Sequence, residues 1–180
     1  MWIRDALPHH LRNVRTVIYG YDTTLENSQS FQLIPDLARA LIVQLETYGW
    51  NGPTAKPIAF LGHSLGGLVL RESLVQLANG PHEVYRNILS VIRGAVFFGV
   101  PNLGMEQAHI RSLTKNNPNE SLVDDLARNS NYLRRLHGSF LASQFHNDFK
   151  SFWAYETAES PTVKVSRDYS ASTPNLESGD

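Results

Sequence analysis

The stretch Gly62-His63-Ser64-Leu65-Gly66-Gly67 follows the apolar run Ile58-Ala59-Phe60-Leu61 and precedes the helical run 65–78. A short buried strand, a turn of small residues and a helix are expected in succession. Such a turn must be tight enough to lift the Ser64 side chain clear of the sheet. Its flanking positions, Gly62 and Gly66, then accept little beyond glycine. The helix that follows aims its N-terminal amides at the turn, which suits an oxyanion.

This is the G-x-S-x-G spacing of a nucleophile elbow in its strand–turn–helix setting. Ser64 reads as the nucleophile position of an α/β-hydrolase, and the backbone N–H of Leu65 as one donor of an oxyanion hole. A tight turn of purely structural purpose is the alternative.

Upstream, residues 1–11 read as the end of a helix or a connector, and residues 14–21 (Val-Arg-Thr-Val-Ile-Tyr-Gly-Tyr) as a strand, being rich in β-branched and aromatic side chains. From 31 to 48, Leu33, Leu37, Leu41 and Leu45 recur at four-residue spacing, the stripe of an amphipathic helix that Gly49 closes. Residues 56–61 form the elbow strand and 65–78 its helix, closed by Asn79-Gly80-Pro81. The next buried strand is 91–100, broken by Pro101-Asn102-Leu103-Gly104.

Periodicity is lost over 105–119, as in a mobile loop or a lid over a site. Two helices (121–128 and 131–145), a strand at 149–155 and a short strand at 163–166 complete the pattern. Strands alternating with helices require a mostly parallel sheet flanked by helices, with a helical lid-like insertion. Residues 1–171 are read as one incomplete α/β-hydrolase domain and 172–180 as a polar flexible tail.

The 180 residues are 42% hydrophobic and 18% charged, enough for one domain with a sizeable core. Sixteen basic against 17 acidic residues, in no long run, leave no electrostatic footprint for nucleic acid. With no cysteine there is neither a disulfide framework nor a thiolate metal site. No metal or organic cofactor is implied. No window is apolar for long enough to be a transmembrane segment and no apolar signal region opens the chain, so the default location is cytoplasmic.

Ester hydrolysis by serine needs a nucleophile, a histidine base, a carboxylate to orient it and amides for the oxyanion. In this fold the acid follows the serine in the chain, at the end of a later strand. Glu156 ends the strand Phe152-Trp153-Ala154-Tyr155 and is the candidate acid. Asp148, Asp168 or a solvated loop role for Glu156 stay open. None of the seven histidines follows Glu156. His63 adjoins the nucleophile and suits packing, whereas His109 and His146 would need a non-standard chain order to act as base.

Five blocks in order resemble one family: Trp2 to Pro8, Ile18 to Thr23, Leu61 to Val69, Phe97 to Pro101 and Phe152 to Thr157. The chain is similar to the serine esterase branch of the α/β-hydrolases, the serine active site-containing lipid-remodelling group, whose domains also stand at the N-terminus of fungal receptor-like proteins. The resemblance implies Ser64 as nucleophile and Glu156 as acid. It also implies departures. Family members carry a His-Gly-rich loop before the Trp2 block and a histidine base after the Ser-Ala pair matched by Ser170-Ala171; Asn102 stands where a histidine is common. The chain thus resembles the family domain cut at both ends.

In that fold a further strand lies between residues 14–21 and the elbow strand. Its absence predicts that these two close up and pair directly, or that the fragment is poorly stable. Two functions are therefore expected from different classes. One is a serine esterase or lipase acting on acyl-ester or lipid substrates, weak or inactive for want of a base. The other is a non-catalytic interaction or signalling module of a larger receptor-like protein, with protein partners.

Overall fold

The computed structural model describes residues 5–11, 13–22, 30–106, 111, 114, 117–145 and 148–155. In chain order the elements are α1 (Leu7–His10), α2 (Ile34–Thr47), β1 (Ile58–His63), α3 (Leu65–Asn79), α4 (Glu83–Val91), β2 (Ile92–Phe98), α5 (Glu120–Asp125), α6 (Asn131–Ala142) and β3 (Lys150–Ala154). The three strands form one open sheet in the order β1-β2-β3, all parallel. The arrangement is α/β, as the alternation of strands and helices requires.

Helix α2 begins where the Asp36 carboxylate accepts from Leu33 N at 2.9 Å, so its first turn is capped by its own side chain. It buries Ile34, Leu37, Ala38, Leu41, Ile42 and Leu45, the stripe read from sequence plus its widening neighbours. Its end is a Schellman motif: Gly49 at φ 82° lets Gly49 N donate to Glu46 O and Trp50 N to Leu45 O. The packing partner is α3, which buries Leu68, Leu70, Leu74 and Leu77 together with the polar Arg71 and Ser73. Ser73 Oγ donates to Ala38 O across the α2–α3 seam.

The register sets Gly62, Phe97 and Trp153 in one row and Leu61, Val96 and Phe152 in the next. Side chains of adjacent rows point to opposite faces. Phe97 is fully buried, stacked on Trp153 at 4.2 Å and edge-on to Phe140 of α6. On the other face Leu61 is 48% and Phe152 64% exposed. The core therefore lies on the helix-covered face.

Two expectations are corrected. Residues 14–22 carry no ladder, and no pairing joins them to β1. A strand exists through its partner's hydrogen bonds, and β-propensity alone does not supply them. Val17 and Ile18 stand 66% and 72% exposed, while Tyr19 reaches the core's edge and donates to Leu37 O at 3.3 Å. Helix α4 lies in a stretch given no element from sequence; Val84, Tyr85, Ile88 and Leu89 form its inward face.

Strand 163–166, the tail and most of the lid-like stretch lie outside the described residues. Among the described residues no helix is long and apolar enough to cross a membrane.

Candidate active site

β1 runs directly into the turn and α3 starts at Leu65, so Ser64 is the helix N-cap. Its backbone sits at φ 50°, ψ −125°. L-residues rarely adopt this region, and it persists only where the surroundings dictate it. Here they do. Ser64 N donates to Phe98 O at 2.9 Å and Gly67 N to Ser64 O at 3.0 Å, which pins the turn to the end of β2 on one side and to its own helix on the other. The side chain is half-buried, and among the described residues the hydroxyl has no hydrogen-bond partner.

Leu65 and Gly66 occupy the first turn of α3, where N–H groups lack intrahelical acceptors. Neither amide has a backbone partner among the described residues. Two adjacent free amides at a helix N-terminus can receive negative charge beside Ser64.

The glycines divide differently from the sequence reading. A Cβ on Gly62 would lie 2.8 Å from Gly67 Cα, so β1 and α3 cross backbone to backbone. A Cβ on Gly67 would overlap the Val100 methyls. Gly66 is the freer position, its nearest neighbour being the Tyr21 hydroxyl at 3.4 Å. Gly66→Ala is accordingly expected to be neutral or to stabilise by about 0.5 kcal/mol, since alanine outranks glycine in a helix. A urea titration of the two proteins checks this.

The C-terminal ends of the three strands meet at this turn. His63, Phe98 and Ala154 share a register row, and Gly99 N donates to Ala154 O at 2.9 Å. β3 thus delivers the chain to Tyr155 at the same end of the sheet as Ser64. Glu156, the next residue, lies outside the described residues, as do His109 and His146.

The described histidines do not converge on Ser64. His63 is exposed, His82 lies edge-on to Tyr85, and His137 Nδ1 meets Arg71 Nη2 at 3.2 Å. Among the described residues no group of acidic and histidine side chains could hold a metal. Two surface depressions, one between Phe31 and Asp124 and one between Arg15 and Trp50, leave Ser64 outside.

Sequence reasoning passed over Arg71. It is 1% exposed, and among the described residues it is the one charged side chain in the core. Its Nη1 donates to Asn102 Oδ1, and its guanidinium carbon lies 4.9 Å from the Phe140 ring centroid and 5.5 Å from that of Trp153. Nε has no partner among the described residues. Burial lowers the guanidinium's pKa, and the nearby Tyr132 opposes that shift. Tyr132 donates to Glu72 Oε2 at 3.0 Å, and burial followed by the Glu72 charge raises its phenol well above the ordinary value. In the sequence Arg71 stands in Leu70-Arg71-Glu72-Ser73, where nothing marks it as buried.

Among characterised proteins, the chain is 25% identical over 172 residues to Protein SERAC1 of Danio rerio and 24% identical over 162 residues to Protein SERAC1 of Bos taurus. These alignments cover 91% and 87% of the chain but only 26% and 24% of the relatives, so the chain spans about a quarter of their length. No protein-family profile and no solved structure matches it. The chain is thus a distant relative, by sequence, of one segment of Protein SERAC1.

Proposed function

We propose that this chain carries the nucleophile half of a serine ester hydrolase of the α/β-hydrolase type, acting on acyl esters, lipid esters among them. The observation that carries the reading is the backbone of Ser64, held at φ 50° and ψ −125° between a parallel strand and a helix N-terminus. Ser64 Oγ attacks the ester carbonyl carbon while its proton passes to a base. The carbonyl oxygen takes up negative charge against Leu65 N–H. Collapse of that intermediate expels the alcohol, and water then releases the acid from the acyl-enzyme. Glu156 is assigned to orient the imidazole that serves as base.

No histidine follows Glu156 in the sequence. By analogy with a dissected serine protease, loss of the histidine costs on the order of a million-fold in turnover. Hydrolysis is therefore expected only where an imidazole reaches Ser64. That His82 and His137 are engaged with Tyr85 and Arg71 favours a second reading, a non-catalytic module of a larger receptor-like protein in which the turn persists as architecture.

A fluorophosphonate probe separates the two. Covalent labelling mapped by mass spectrometry to Ser64, and abolished in Ser64→Ala, supports the hydrolase. Intact protein that takes up no probe supports the module.

A further inference from the structure

We propose that Arg71 is a positioning residue of the Ser64 site, its buried guanidinium fixing the turn after β2 against helix α3 through Asn102 while His137 and the rings of Phe140 and Trp153 hold it from α6 and β3. The inference rests on the hydrolase reading.

Stability does not account for this arginine. A buried cation loses its hydration, and no carboxylate bonds it among the described residues. An apolar side chain of the same length would fill the space between α3 and α6 without leaving Nε unsatisfied.

What the arginine supplies is directional. It bonds Asn102, which belongs to the turn Pro101-Asn102-Leu103-Gly104. The residues just before that turn border the nucleophile: Phe98 O accepts from Ser64 N, and the Val100 methyls press on Gly67. Holding Asn102 therefore holds the segment 98–100 that braces the turn carrying Ser64. Arg71 itself lies seven residues along the chain from Ser64, and its hydrogen bonds among the described residues go to Asn102 and His137 rather than to Ser64.

The test compares Arg71→Met, Arg71→Lys and Asn102→Ala with the wild type. Two quantities are read in the full chain: the kinetics of fluorophosphonate labelling at Ser64, and amide exchange over residues 99–104. A displaced brace misplaces Ser64 and slows labelling by about 10-fold to 100-fold. That loss is expected in the maximal rate, with the half-saturating probe concentration unchanged, for both Arg71→Met and Asn102→Ala. Arg71→Lys restores part of the rate, and exchange over 99–104 accelerates in the two slow variants although Arg71→Met melts no lower than the wild type.

Labelling at the wild-type rate in folded Arg71→Met, or a rate that merely follows the melting temperature across the series, overturns the proposal. Should the wild type take up no probe, the hydrolase reading fails separately. Exchange over 99–104 then decides whether Arg71 tethers the turn: acceleration in Arg71→Met and Asn102→Ala upholds the tether, and no change overturns it.

Discussion

Gly62→Ala is expected to destabilise the protein by about 3 kcal/mol and to lower its melting temperature by roughly 10 °C. The reason is where the added methyl lands. It meets Gly67 Cα at 2.8 Å, Gly67 N at 3.2 Å and Gly66 O at 3.3 Å, all of them backbone atoms of the helix that follows. No side-chain rotation relieves such a contact, so β1 and α3 must separate. Separation strains the bond from Ser64 N to Phe98 O and loosens the seat of Val100 on Gly67. The expected result is a lower urea midpoint with an unchanged slope, together with loss of probe labelling at Ser64. A wild-type midpoint for Gly62→Ala would mean that strand and helix do not cross as closely as described.

Phe97→Ala is expected to be more damaging, about 4 kcal/mol. Phe97 is fully buried in the middle strand and joins three elements: its own strand, Trp153 of β3 by stacking and Phe140 of α6 edge-on. Removing the ring forfeits burial, opens a cavity and ends two aromatic contacts at once. Because whole-domain stability is commonly 5–15 kcal/mol, a loss of this size takes a large share of it. Denaturant unfolding checks the magnitude. A cost below 1 kcal/mol would show that the sheet–helix interface is looser than its geometry.

Legibility from sequence followed the range of the interactions involved. Helix α2 was plain because its signal is local: a four-residue leucine spacing ended by a glycine whose positive φ allows the Schellman closure. The strand–turn–helix around Ser64 was plain for the same reason. Residues 14–21 have the composition of a strand, yet composition reports only half of a ladder, and the hydrogen-bonding partner is a matter of tertiary structure. Helix α4 escaped notice because it is nine residues long with one fully buried side chain, Ile88, and follows a Gly-Pro pair that reads as punctuation.

Within the candidate site, the motif correctly marked Gly62 as crowded. It put the second constraint on Gly66, whereas the close approach falls at Gly67 through Val100, 33 positions further along the chain. Arg71 was invisible for a related reason. Its partners come from the turn after β2, from α6 and from β3, and no sequence spacing announces that they meet.

The backbone of Ser64 carries a last implication, about what the corner is for. At φ 50° and ψ −125° glycine would sit at ease, whereas a residue with a Cβ pays on the order of 1–3 kcal/mol. A chain shaped by thermodynamic fitness alone would place hydrogen where the hydroxymethyl group now stands. The hydroxymethyl group is thus an expense the architecture bears rather than a support it uses.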